Sequence, residues 1–211
     1  MDFSDRKEAG RLLGEYLKSV VKEADMVLGI PRGGVVVAKE VARIFGKPLG
    51  LLIVRKLGVP SNPELAFGAV DPDGRIYTDR RTIEYFNISA QDIQRVGREE
   101  LEKIRERERK FLKGKPLEVE GKTLIVVDDG IATGQTVIAG VEYLKRKGAR
   151  EVIVAAPVCH AEAVKRLSSL TDKIYCYITS ERSEFAVGMY YADFRQVEDK
   201  EVEELLRDET F

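Results

Sequence analysis

The chain has 211 residues, 44% apolar and 34% charged, which is enough for one α/β domain with a full core; 35 basic against 36 acidic side chains leave a formal net charge of −1. That balance argues against a general nucleic-acid or membrane-surface binder, since both depend on an excess of positive charge. The polar start MDFSDRKEAG is unlike a signal peptide and no apolar run reaches membrane-spanning length, so the expected setting is cytoplasmic.

Residues 4 to 23 read as an amphipathic helix, with Leu12, Leu13, Tyr16, Leu17, Val20 and Val21 near helical spacing and Ser4 as its expected N-cap. A short apolar strand, 26 to 30, is followed by PRGG at 31 to 34 and by a helix that ends near Gly46. GLLIVRKLG, 50 to 58, reads as a second strand that turns basic at its C-terminal end, and VPSNPE as a loop with two prolines. AFGAV, 66 to 70, and RIYTD, 75 to 79, flank DPDG and predict a hairpin. Residues 88 to 113 form a charge-laced helical segment, expected to be a solvated face, with a lid or subunit contact as the other reading. Strand 122 to 129, a helix over about 134 to 147, strand 151 to 158, a helix over about 160 to 169, strand 173 to 179 and a helix near 198 to 207 complete the chain. Buried-looking strands alternating with helices predict an α/β fold, a mostly parallel sheet with helices on both faces.

Cys159 and Cys176 have no CxxC spacing, and with His160 as the one histidine they do not make a typical zinc site, so both are expected to be buried free thiols. For His160 a helix N-cap or surface role is expected over catalysis.

In an open parallel sheet, ligands bind beyond the C-terminal ends of the strands. Three features fall at such ends: PRGG, the pair Arg55-Lys56, and DDGIATGQT at 128 to 136. Thr133, Gly134, Gln135 and Thr136 sit at a helix N-terminus, where unpaired N–H groups and the helix dipole favour a phosphate. Asp128 and Asp129 would repel that phosphate if aimed at it. They suit instead a diol, such as ribose hydroxyls, or Mg²⁺ bound directly or through water. Gly33 and Gly34 permit unusual backbone angles and expose N–H groups beside Arg32, a plausible diphosphate cradle. Each feature also has an ordinary reading: PRGG as a strand-to-helix turn, Arg55-Lys56 as a solvated strand end, the acid pair as a helix cap or metal pocket.

Taken together and in this order, the motifs resemble those of type I phosphoribosyltransferases. VVDDGIATGQT resembles that family's phosphoribosyl diphosphate (PRPP) motif, PRGG its diphosphate loop, and VRKLG the strand end of adenine-type members that precedes a flexible loop, here about Gly58 to Glu64. The run from FSDRKEAG to YYADF is similar to predicted members of unassigned substrate, over nearly the whole chain. The resemblance implies one phosphoribosyltransferase-like domain over 1–211, with a helical insertion at about 80–115 and a small C-terminal hood at about 178–211. It implies Asp128 and Asp129 on the ribose hydroxyls with Mg²⁺ as cofactor, Ala132 to Thr136 (Ala132, Thr133, Gly134, Gln135, Thr136) around the 5′-phosphate, and Arg32, Gly33, Gly34, Arg55 and Lys56 on the diphosphate. FAVG at 185 to 188, with Asp193 after it, is similar to the hood of hypoxanthine-guanine enzymes, which makes Phe185 the stacking candidate and puts the Val187 backbone near the base; a packed strand or loop is the alternative. The sequence departs from that subfamily in three places. Asp193 lies one residue farther from the glycine, AAPVCH lacks a lysine, and Ala132 stands where an aspartate is usual.

The implied activity is transfer of phosphoribosyl from Mg-PRPP to a nitrogen acceptor, a nucleobase with a lean to purine, releasing diphosphate by positioning and charge stabilisation. The alternative is a non-catalytic PRPP-sensing regulator; no nucleic-acid or membrane partner is expected, and a homodimer is suggested by family habit alone. A dinucleotide-binding fold is disfavoured because no GxGxxG follows a strand.

Overall fold

The computed structural model describes residues 2–207; Met1 and residues 208–211, the end of the expected hood region, lie outside the described residues. The chain divides into two compact units, one of Met1–Leu52, Leu117–Gly134 and Leu144–Phe211, the other of Ile53–Pro116 and Gln135–Tyr143.

In the first unit, β1 (Met26–Gly29), β2 (Leu49–Leu51), β6 (Thr123–Val127), β7 (Glu151–His160) and β8 (Lys173–Ser180) form a parallel sheet in the order β2-β1-β6-β7-β8. β6 and β7 are near-continuous buried apolar runs, Leu, Ile and Val in β6 and Val, Ile, Ala, Pro and Cys in β7, as strands covered on both faces require. β1 continues through helix α2 (Gly33–Phe45) to β2 on one side, while β6 leads to β7 and β8 on the other. The order therefore reverses between β1 and β6, the point where open α/β sheets bind ligands. Gly29 lies opposite Val127, so PRGG and the acid pair leave the sheet side by side.

Helix α1 (Arg6–Val20) buries Ala9, Gly10, Leu13, Gly14 and Leu17. Its contact stripe is set by small residues: a Cβ on Gly10 would lie 2.7 Å from Val37 O of α2, and one on Gly14 2.5 Å from Ile44 Cδ1. The stripe lets the two helices approach closely. Its N-cap is Asp5, whose carboxylate accepts from the Glu8 amide at 2.8 Å, where Ser4 was expected; the Ser4 amide donates to Glu8 Oε1 at 3.0 Å. Ahead of α1, Phe3 pairs with the C-terminal strap: Phe3 N–H donates to Tyr190 O, Ala192 N–H to Phe3 O and Asp193 N–H to Ser4 O, at 2.8–2.9 Å.

The expectation of two free thiols is overturned, because Cys159 of β7 and Cys176 of β8 form a disulfide. They lie 17 positions apart in the chain, and parallel strand pairing across a helical crossover brought them together, which no CxxC spacing could signal.

In the second unit, β3 (Arg55–Val59), β4 (Asn62–Val70) and β5 (Ile76–Thr78) form an antiparallel sheet. The expected strand 50 to 58 is thus two strands in two sheets, and Arg55 and Lys56 open β3 instead of closing β2. Leu52, Ile53 and Val54 bridge them and are 0–3% exposed, so apolarity runs unbroken through the join. The expected loop at 58 to 64 is largely a hairpin, with Val59 paired to Asn62 across a two-residue turn. The predicted hairpin around DPDG is present: buried Asp71 accepts from the Asp73 and Arg75 amides at 2.9 and 3.0 Å and from the Tyr77 hydroxyl at 3.2 Å. Helices α3 (Arg80–Phe86) and α4 (Ala90–Arg107) follow, then a π turn at Glu108–Leu112. Ser89 caps α4, which buries only Val96, Gly97 and Ile104 and leaves the charged face in solvent as expected. Helices α5 (Gln135–Arg146), α6 (Ala161–Leu167) and α7 (Asp199–Arg207) complete the described elements. Among the described residues no helix is long and apolar enough to cross a membrane.

Candidate active site

Asp128 and Asp129 follow directly on β6, and the Asp128 amide still donates to Ala155 O of β7 at 3.3 Å. Asp128 turns back on its own loop, its Oδ1 accepting from the Asp129 amide at 2.8 Å. Asp129 takes a different partner: its Oδ2 accepts from Arg6 Nε at 2.9 Å, with side chains 17% and 11% exposed respectively. The Asp129 carbonyl accepts from the Tyr191 hydroxyl at 2.6 Å. Burial, and then the nearby Asp129 charge, push the Tyr191 pKa well above its ordinary value.

Arg6 was not anticipated from the sequence, yet it ties several parts of the site together. Besides Asp129 it donates from Nη1 to Arg195 O at 2.7 Å, and its guanidinium lies 4.1 Å over the Phe194 ring. Phe194 stands 5.0 Å from Tyr191, which in turn stands 5.3 Å from Phe3. The signal was present but needed pairing information: Arg6, Gly10 and Gly14 recur every four residues on one face of α1. The face that slides against α2 therefore delivers Arg6 to the start of that helix.

Gly33 and Gly34 are the first two residues of α2. Their backbone angles are ordinary, so the expected need for unusual angles is replaced by a need for space. A Cβ on Gly33 would meet Asp129 Oδ2 and lie 2.7 Å from Arg6 Nε; one on Gly34 would lie 2.9 Å from Val127 O and 3.0 Å from Asp128 Oδ1. The two motifs are packed together at the backbone. Arg32, joined to Pro31 by a cis peptide bond, reaches Asp199 Oδ1 of α7 at 3.5 Å. Among the described residues no group of three or more His, Cys, Asp or Glu could hold a metal ion.

Ala132 and Thr133 are exposed, and Gly134 takes φ +82°, a left-handed angle that suits glycine, before α5 begins at Gln135. The Thr133 carbonyl accepts from Arg166 Nη1 at 2.9 Å. In the second unit, Gln135 Nε2 donates to Ala66 O at 3.4 Å while its Oε1 is buried without a partner, and Thr136 is buried. There too Arg55 Nε donates to Glu100 Oε2 at 2.9 Å, and Lys56 is exposed.

In the C-terminal strap, Phe185 is half-buried, edge-on to His160 at 5.3 Å and tilted to Tyr190 at 5.6 Å. Val187 starts a 3₁₀ turn, Val187–Tyr190, and its side chain fills the space that a Cβ on Gly130 would need. His160 is the N-cap of α6, its Nδ1 accepting from the Glu162 amide at 3.2 Å, in line with the capping role expected for it.

A family model described as the phosphoribosyl transferase domain matches residues 5–193. A Mycobacterium tuberculosis protein whose name assigns it to the phosphoribosyl transferases is 39% identical over 201 residues, 95% of this chain and 45% of that protein. The chain thus spans a little under half the length of these relatives. The crystal structure of TT1426 from Thermus thermophilus is similar at 39% identity and a TM-score of 0.78, covering 98% of both chains. APRTase from Giardia lamblia, solved with 9-deazaadenine, shares the fold at a TM-score of 0.50 and 12% identity, covering 84% of this chain and 80% of that one.

Proposed function

This chain belongs to the phosphoribosyl transferase domain family, and we propose that it binds Mg-PRPP and transfers the phosphoribosyl group to a nitrogen acceptor, a nucleobase with purine preferred, releasing diphosphate. The observation that carries this reading is the packing of the PRGG turn against the acid pair, with Gly34 leaving no room for a Cβ beside Val127 O and Asp128 Oδ1. An anion cradle and a diol-binding pair of carboxylates in direct contact suit a sugar phosphate with an anionic leaving group.

In this reading Asp128 and Asp129 orient the ribose hydroxyls and favour positive charge developing at C1. Ala132 to Thr136 hold the 5′-phosphate, using the N–H groups that open α5. Gly33 and Gly34 present the amides that open α2 to the diphosphate, with Arg32 beside them. Arg55 and Lys56 are assigned to diphosphate charge on the sequence resemblance alone. Phe185 stacks on the base, and the backbone at Val187 meets its edge. Asp128 and Asp129 would be the residues to hold Mg²⁺, directly or through water, alongside oxygens of PRPP, since Asp129 already holds Arg6 and no third carboxylate among the described residues joins the pair. When bound, Mg²⁺ neutralises the diphosphate. No side chain is needed as a nucleophile; the protein positions the reactants and stabilises charge.

The test is diphosphate release from PRPP and Mg²⁺ across a panel of free purines, pyrimidines and simple amines. Release with one acceptor establishes the transfer and names the substrate. Tight PRPP binding with no release across the panel favours the PRPP-sensing alternative, and absence of both PRPP binding and release refutes the reading.

A further inference from the structure

Two carboxylates beside an anion cradle pose an electrostatic problem. The N-terminus of a helix such as α2 offers an anion about half a positive charge, whereas one ionised carboxylate contributes a full negative charge. Asp129 lies against that N-terminus, since a Cβ on Gly33 would touch its Oδ2. Left alone, it would make the turn repel the ligand it is shaped for.

Arg6 removes the conflict. Its Nε is 2.9 Å from Asp129 Oδ2 and 2.7 Å from the position a Gly33 Cβ would occupy, so the positive charge stands where the acid meets the cradle. Both side chains are largely buried, at 11% and 17% exposure, so water and salt screen the pair little. The guanidinium is fixed on three sides, by Asp129, by the Arg195 carbonyl at 2.7 Å and by the Phe194 ring at 4.1 Å. A fork held this way cannot swing out and leave the carboxylate exposed.

We propose that Arg6 is a positioning residue of this site, holding the Asp129 carboxylate in place and offsetting its charge on the side that faces Gly33, so that the turn there accepts the diphosphate of PRPP. The inference rests on the proposed reading of that turn. It gives helix α1 and the strap around Phe194 a role in binding, through a residue that contacts the acid pair from outside both motifs.

The experiment measures binding of inorganic diphosphate in magnesium-free buffer, where the part assigned to Asp129 in holding the metal does not enter, by calorimetry, to the full chain and to Arg6→Met, Asp129→Asn and the double variant, with the thermal midpoint of each. Arg6→Met should weaken diphosphate roughly tenfold, the scale of one uncompensated charge nearby. Asp129→Asn alone should bind at least as tightly as the parent, because the repelling charge is gone while Arg6 remains. The double variant should return to within about threefold of the parent, a charge rescue that a merely structural role does not produce. Unchanged affinity in Arg6→Met overturns the inference, as does a double variant that is folded and still weak. Should Arg6→Met fail to fold, Asp129→Asn decides the matter, and weaker binding there refutes it. A parent chain that binds no diphosphate removes the cradle and with it the proposed function, an outcome distinct from equal binding by parent and variant.

Discussion

Arg55 of β3 and Glu100 of α4 form an ion pair, Nε to Oε2 at 2.9 Å, and Glu100 uses its other oxygen to accept from Lys103 at 3.1 Å. Glu100 is 14% exposed on a helix whose other acids are mostly in solvent, so α4 supplies the anchor for a cation that the resemblance assigns to diphosphate. Glu100→Ala should leave the fold intact and raise KM for PRPP about fivefold, the effect of losing roughly 1 kcal/mol of orientation from a partly screened pair. Glu100→Gln, which keeps an acceptor, should fall between. Steady-state kinetics with PRPP as the varied substrate, beside thermal melts, checks this; an unchanged KM in Glu100→Ala would show that Arg55 needs no support.

Asp128→Asn combined with Asp129→Asn should reduce transfer by about three orders of magnitude, the scale seen when charge stabilisation aimed at a transition state is removed. Folding should survive, because both side chains are only partly buried and an amide still accepts from Arg6 Nε and from the Asp129 amide. Circular dichroism and a thermal melt report the fold, and single-turnover diphosphate release reports the chemistry. Normal turnover would remove both aspartates from the mechanism.

These two cases mark what could be read before folding. The five parallel strands were legible because β6 and β7 are unbroken apolar runs bounded by turns, and DDGIATGQT carried its own spacing. The break between β2 and β3 was not, since Leu52-Ile53-Val54 stays apolar while the backbone changes sheet. The α1 contact stripe was misread in part: counting large apolar residues missed Gly10 and Gly14, which set the closest approach to α2. Arg6 was hidden for the same reason. Its partners Asp129, Phe194 and Arg195 lie more than a hundred residues away, and periodicity reports only neighbours along one element. The Cys159–Cys176 bond is likewise a product of strand adjacency.

Gly34→Ala should be among the more damaging single substitutions in α2, although alanine is ordinarily the better helix former. The added methyl would sit 2.9 Å from Val127 O and 3.0 Å from Asp128 Oδ1, and the nearer atom is backbone, which cannot swing aside. Overpacking of this kind costs about 1–3 kcal/mol. Because the displaced groups belong to the acid loop, KM for PRPP should rise together with the loss in denaturation midpoint. A variant as stable as the parent would show that the turn and the acid loop can separate freely.

The Tyr191 hydroxyl donates to the Asp129 carbonyl at 2.6 Å, and burial first, then the Asp129 carboxylate, raise its pKa. A tyrosine whose pKa is raised on folding contributes stability that is complete below the unfolded value near 10 and is lost as pH climbs above it, because only the unfolded chain can then release the proton. At neutral pH Tyr191→Phe should cost about 1 kcal/mol, the worth of one hydrogen bond whose carbonyl partner is left short of a donor. Above pH 10 the parent should lose stability faster than Tyr191→Phe, so the gap between their denaturation midpoints narrows between about pH 9 and 11.5. Two curves that run parallel through that window would mean that Tyr191 ionises as an exposed phenol and that its hold on the Asp129 loop is weaker than the geometry indicates.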